Sequence, residues 1–211
     1  MLQLRDVTVL RDDRALFQPI SVTIEAGSVM TCMGASGLGK TTLLSALVSS
    51  TPGLILSGEV LLDNERRPQT APLLGVTQTV FQDPVLFPHL SVGANVALSI
   101  ARCDQTEQRQ RVRVMLDALG LGGLAEADPM TLSRGQRMRV SVARALVARP
   151  RILLLDEPFS ALDAATREDV KSVVFQAVAE YGMMALLVTH QDDDRPETGA
   201  LVCLMPFSSN V

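Results

Sequence analysis

One run of eight residues, Gly34-Ala35-Ser36-Gly37-Leu38-Gly39-Lys40-Thr41, constrains this chain more than any other. It fits GxxxxGK[ST] in full. The apolar run Val29 to Met33 precedes it, and Thr41 to Ser50 follows with Leu43, Leu44, Leu47 and Val48 at helical spacing. A strand that enters a glycine-rich turn and leaves as a helix is a phosphate cradle. Glycine lets successive backbone N–H groups curl round an anion, and the positive end of the helix points at the same charge. Lys40 is then placed to reach the β- and γ-phosphates of a nucleotide, with Thr42 beside it in the cradle. The Thr41 hydroxyl is placed to ligate Mg²⁺, a hard cation that prefers oxygen.

A second apolar run, Ile152-Leu153-Leu154-Leu155, ends in Asp156-Glu157. It predicts a buried strand that delivers two carboxylates to the carboxyl edge of a sheet, where α/β proteins place ligands. Asp156 would hold the metal through water, and Glu157 would orient or deprotonate an attacking water. A strand ending in acids is by itself often just a solvated strand end; the complete phosphate loop is what gives it weight.

Around these runs, short apolar segments alternate with amphipathic ones, which predicts α/β architecture. Leu2 to Val9 reads as a strand at a sheet edge, ending in the charged turn Arg11-Asp12-Asp13-Arg14, with Ser21 to Ile24 as its hairpin partner. Strand character resumes at Glu59 to Leu62 after Ser57-Gly58. Between Pro84 and Pro150 the texture turns helical. One helix is capped by Ser91 and runs through Val92, Val96 and Ile100, a second covers Thr106 to Leu119, and a third Arg134 to Ala148. Beyond Ile152 to Asp156, a helix aligns Val170, Val174, Ala177 and Tyr181. Met184 to Thr189 and Ala200 to Leu204 close the list as strands.

The 211 residues set a prior of one domain, and the net charge of −4 gives no basic field for nucleic acid. Nor do aromatics interleave with Arg134, Arg137, Arg139, Arg144 and Arg149, which read as a solvated helix face. No stretch approaches the roughly 18 apolar residues of a membrane span. Cys32, Cys103 and Cys203 are isolated and odd in number, as in a reduced, cytosolic protein without a cysteine metal site. With only His89 and His190, a His-rich site is excluded.

Leu132-Ser133-Arg134-Gly135-Gln136 resembles the LSGGQ signature of ABC ATPases, and further motifs fall in that family's order. Gln82, in Val80-Phe81-Gln82-Asp83-Pro84, resembles the Q-loop; Ser160-Ala161-Leu162-Asp163 the D-loop; Thr189-His190 the switch histidine. The resemblance spans about Leu2 to His190. It implies a single ABC ATPase domain, 1–211, with a P-loop NTPase (RecA-like) core at 1–83 and 149–211. An N-terminal antiparallel β subdomain belongs to that core, and an inserted helical subdomain, 84–148, carries the signature.

The resemblance further implies ATP and Mg²⁺ as cofactors and a head-to-tail dimer with two ATP at its interface. Ser133, the backbone of Gly135 and Gln136 would meet the γ-phosphate held by the other copy. His190 would keep that phosphate and the attacking water in register, and Gln82 would touch Mg²⁺ and sense the γ-phosphate.

Phe81 to Val92 resembles the same segment of bacterial importer ATPases, where it grips an integral-membrane permease. Phe81, Val85, Leu86 and Phe87 are suited to such a groove or to packing the helical insert on the core; His89 reads as structural or solvent-facing. Import through a permease follows, with an extracytoplasmic solute-binding protein as a further partner and a place on the cytoplasmic face of the membrane. An exporter or lipoprotein-extraction ATPase is the nearest rival, and a nucleic-acid-linked ABC ATPase or a non-hydrolysing module is more distant.

Three departures stand out. Arg134 replaces the usual Gly of the signature. Arg11 falls where an aromatic normally stacks on adenine, with Phe17 as an alternative that also suits the core. Gln191-Asp192-Asp193-Asp194-Arg195-Pro196 replaces the acidic helix after the histidine.

Overall fold

A computed structural model describes residues 1–101 and 103–207. In chain order the strands and helices are β1 (Leu2–Arg11), β2 (Arg14–Ala15), β3 (Ile20–Ile24), β4 (Val29–Met33), α1 (Lys40–Val48), β5 (Leu54–Leu62), β6 (Glu65–Arg66) and β7 (Thr77–Val80). Then come α2 (Val92–Ala97), α3 (Gln105–Ala118), α4 (Arg134–Val147), β8 (Ile152–Asp156), α5 (Ala164–Glu180), β9 (Met184–Val188) and β10 (Ala200–Cys203).

Two sheets carry the fold. The first is antiparallel, with β1 between β5 on one side and β2 and β3 on the other. The second runs β10-β4-β9-β8-β7 and is parallel throughout. Parallel strands covered on both faces need apolar residues at every position, which is why Ile152 to Leu155 and Met184 to Val188 do not alternate. Ile152, Leu154, Met184, Leu186 and Val188 face a core shared with α1 and the antiparallel sheet. Leu153, Leu155, Ala185 and Leu187 face a second core with α2, α3, α4 and α5.

Four expectations are corrected here. β1 is an interior strand; the charged turn after it marks where it ends, not a sheet edge. β5 begins at Leu54 and passes through Ser57-Gly58 instead of starting after them. The strand Thr77–Val80 escaped notice because four residues, three of them polar, carry little apolar signal. The helix capped by Ser91 also stops at Ala97, short of Ile100.

The passage through Gly58 has a cause that lies in β1. Its inward residues are Leu2 and Leu4, then Val7 and Val9, so the alternation slips by one at Asp6. There the pairing register shifts and Asp6 takes φ 50°, a bulge whose N–H bonds the Ser21 hydroxyl at 2.9 Å. Gly58 lies against it with φ +97°, and a Cβ there would fall 2.4 Å from the Asp6 carbonyl oxygen. Gly58→Ala should therefore cost on the order of 2 kcal/mol of stability in urea unfolding; an unchanged midpoint would contradict this account of the bulge.

The expected solvated arginine face is also revised. Arg137 donates to the Leu132 carbonyl at 2.6 Å and Arg139 to that of Leu119 at 2.9 Å. Arg149 stacks 4.2 Å above the Tyr181 ring. Arg144 is partly buried over Phe87, and desolvation lowers its pKa. Arg137, Arg139 and Arg144 are thus partly buried against neighbouring elements, whereas Arg134 and Arg149 stay exposed as expected. All three cysteines are free, and burial pushes the Cys32 thiol up to about 12.

Candidate functional site

Because β4, β9, β8 and β7 are parallel neighbours, their carboxyl ends share one edge. The loop after β4 is the glycine-rich run, β9 leads into His190, β8 ends in Asp156-Glu157, and β7 leads to Gln82. A cleft of about 530 Å³ opens there, reached by all four. Arg11, the last residue of β1, and Leu16, just after β2, complete its lining.

The loop is built to leave donors free. Gly39 caps α1 at φ 89°, a left-handed conformation that costs glycine little, and a Cβ there would press to 3.1 Å of Leu16 Cδ1. No side chain caps this helix and no acid sits in its first turn, so its N-terminal N–H groups point at the cleft without a competing carboxylate. Lys40 is nearly buried and donates from Nζ to the carbonyls of Gly34 at 2.8 Å and Ala35 at 3.1 Å. An ammonium has three protons, so one remains for an anion. Ser36, Gly37, Thr41 and Thr42 line the cleft beside it, whereas Gly34, Ala35 and Leu38 shape the loop from outside the lining.

Opposite the lysine stand the acids. Thr41 Oγ1 donates to Asp156 Oδ1 at 3.1 Å, bringing together two hard oxygens from residues 115 positions apart. Glu157 takes φ 49°, a strained conformation for a side chain of its size. Its N–H bonds the Val188 carbonyl at 2.9 Å, and the Ser160 hydroxyl donates to its carbonyl at 2.9 Å. The turn thereby aims its carboxylate at His190, whose Nδ1 lies 2.8 Å from both Oε1 and Oε2. A carboxylate only accepts, so Nδ1 carries the proton here and Nε2 is left for another partner.

The signature lies elsewhere. None of Ser133, Gly135 and Gln136 lines the cleft. Ser133 caps α4 in a reciprocal box: its hydroxyl oxygen accepts from Gln136 N at 3.2 Å, and Gln136 Oε1 accepts from Ser133 N at 2.9 Å. Because that hydroxyl accepts within its own chain, its proton stays available to an outside anion. Gly135 packs against the Ala161 carbonyl, where a Cβ would sit at 3.1 Å. Arg134 bridges to Asp83 at 2.7 Å and so joins the signature turn to the segment bearing Gln82. Asp163 caps α5 through Thr166 N at 3.1 Å, and these hydrogen bonds hold its carboxyl below the usual range.

Phe17 is wholly buried, leaving Arg11 and Leu16 as the residues of this part of the chain that line the cleft. Leu16 and Val188 are lining residues that no motif marks. A larger groove of about 760 Å³ lies between α2 and α3, but its charges, such as Arg113 and Asp117 at 3.7 Å, pair along one helix instead of converging.

This fold and cleft define a P-loop nucleotide-binding protein. Residues 17–160 match the family model described as ABC transporter. The chain is 35% identical to the uncharacterized ABC transporter ATP-binding protein YnjD of Escherichia coli, covering 100% of this chain and 98% of that one. It is 40% identical over 197 residues to the spermidine/putrescine import ATP-binding protein PotA of Nitrosomonas europaea, covering 92% of this chain and 54% of the relative. It thus spans about half the length of such polyamine-import relatives. Among solved structures, the dimeric bacterial ABC transporter cassette MJ0796 matches with TM-score 0.80 and 28% identity, over 97% of this chain and 94% of that one. The same cassette in a dimeric post-hydrolysis state bound to ADP and Pi matches with TM-score 0.78. The chain belongs to the ABC transporter family, as its ATP-binding cassette.

Burial raises the Asp156 carboxyl above its ordinary value; Thr41 and Lys40 pull it down, and the charge of Glu157 adds to the rise. The folded protein thus holds this proton more tightly than the unfolded chain, and stability falls as pH climbs above the unperturbed 3.8. Asp156→Asn removes that penalty while keeping an acceptor for Thr41. Without nucleotide, the variant should melt higher than wild type at pH 7; a lower Tm there would contradict the assignment.

Proposed function

We propose that this chain hydrolyses ATP as a dimer and so drives solute import through an integral-membrane permease. The observation that carries the reading is a division of labour. One cleft collects Lys40, the Thr41–Asp156 oxygens and the Glu157–His190 pair, while the signature turn sits outside it with a free hydroxyl proton. A second copy brings Ser133, the Gly135 backbone and Gln136 to the γ-phosphate held by the first. The dimeric form of the cassette that this fold matches supports that arrangement.

Phosphoryl transfer asks a protein for positioning and charge more than for covalent chemistry. The loop N–H groups and Lys40 hold the phosphates. Glu157, steered by its strained turn, accepts a proton from the attacking water or orients it. His190, fixed on Glu157 through Nδ1, presents Nε2 as an acceptor that keeps the attacking water in register, and Gln82, in the segment after β7, reaches the γ-phosphate. Thr41 and Asp156 fit Mg²⁺: they supply hard oxygens, and no group of three His, Cys, Asp or Glu side chains surrounds a metal among the described residues. Such a site suits a cation that keeps its water and draws on substrate phosphates. Bound there, Mg²⁺ would supply positive charge to the phosphates.

The base of the nucleotide meets Arg11 and Leu16, a guanidinium and an alkyl surface in place of an aromatic ring, which makes purine selectivity looser.

Phe81, Val85 and Phe87 stay exposed beside the helical insert, where they suit a cytoplasmic segment of the permease. Leu86 instead packs into the core, and His89 is exposed. Import is supported by the relatives named for it. An extracytoplasmic solute-binding protein completes such a system. Among the described residues no helix is long and apolar enough to cross a membrane, which fits a peripheral place on the cytoplasmic face.

Glu157→Gln keeps the shape and removes the base. With Mg-ATP it should accumulate as a dimer by size-exclusion chromatography while turnover falls about 100-fold or more. Turnover at the wild-type rate would remove Glu157 from the chemistry.

A further inference from the structure

The chain must pass from β9 to β10 across β4, since the order is β10-β4-β9 and all three are parallel. Residues 189–199 make that crossover with one 3-10 turn, Asp192–Asp194, and no α-helix. The residues flanking His190 are therefore held by side chains instead of a helical ladder. Thr189 is wholly buried, with its N–H on the Cys32 carbonyl at 3.3 Å. Its hydroxyl donates to Asp194 Oδ2 at 2.6 Å and accepts from Gln191 N at 3.1 Å. Asp194 N closes the turn on the Gln191 carbonyl at 3.2 Å, and α5 anchors it through Arg167 to the Gln191 side chain and Lys171 to the Asp193 carbonyl.

Asp194 stands out in this turn. It is 1% exposed, and its second oxygen, Oδ1, is buried with no protein partner. A carboxylate buried with one oxygen unpaired works against folding. What it secures is a short, charge-assisted bond to the residue directly before His190. The imidazole needs that support. Its side chain is 54% exposed and its ring contact is Glu157, so its aim is set by the backbone on either side. We propose that Asp194, acting through the Thr189 hydroxyl, is a positioning residue that holds His190 in its hydrolytic geometry. The proposal rests on the reading that His190 serves hydrolysis.

The test is steady-state ATP hydrolysis by the full chain. Because Thr189→Val also breaks the Gln191 bond and leaves the Asp194 carboxyl unpaired, Thr189→Ser, which keeps the hydroxyl and should turn over near the wild-type rate, is the control for Thr189→Val and Asp194→Ala. Both should lose about 10- to 100-fold in kcat, the scale of a reacting group misplaced by about 1 Å. KM for ATP should stay within about twofold, because ground-state binding is untouched. Asp194→Asn, which keeps an acceptor for the hydroxyl, should recover most of the rate. Thr189→Val combined with His190→Ala should be no slower than His190→Ala alone, the signature of one residue acting through the other. A wild-type kcat in Thr189→Val, a loss expressed in KM, or a multiplicative loss in the double variant would each overturn the proposal. Wild-type turnover in His190→Ala would instead sink the underlying reading of the histidine, and this proposal with it.

Discussion

The whole site depends on four neighbouring parallel strands ending on the same edge. Parallel pairing is what lets residues 34–41, 82, 156–157 and 190 meet, although they come from four separate parts of the chain. It exacts a demand in return: both faces of those strands must be covered, by α1 and the antiparallel sheet on one side and by α4 and α5 on the other. The two cores therefore precede the chemistry. Lys40 and Asp156 are nearly buried polar residues at the top of that apolar stack, held by each other's surroundings and by the loop carbonyls.

Within this frame the molecule keeps the loop, the acids and the histidine in one cleft and the N-terminus of α4 outside it. Its serine is already satisfied as an acceptor by its own helix and remains competent as a donor. The Arg134–Asp83 pair ties this turn to the Gln82 segment of the same chain. As an exposed ion pair it adds little stability. Under the proposed function, it connects the segment of Gln82 to the turn that a second copy would meet.

Much of this was legible in the residues. The phosphate loop and the acidic strand end have a spacing that backbone geometry demands, the signature is legible through its resemblance to a family motif, and the long apolar runs mark strands covered on both faces. Other features hide because their signal is tertiary. The strand Thr77–Val80 is short and half-polar, and only its pairing with β8 reveals it. The interior position of β1 depends on β5, some fifty residues away in the chain, although the slip of alternation at Asp6 was in plain view. Arg137, Arg139 and Arg144 read as solvated by charge, yet carbonyls and the Phe87 ring claim them. Leu16 and Asp194 carry no motif, and what they do follows from what they touch.

The central claim is that a complete site takes its lysine from one copy and its signature from another, and complementation tests it most directly. Lys40→Ala and Ser133→Arg should each inactivate a homodimer. When the two are mixed, heterodimers regain one intact composite site if the halves come from different chains, and ATP hydrolysis should rise well above that of either variant alone. If each chain completes its own pocket, every mixture stays inactive. That flat result would contradict the account.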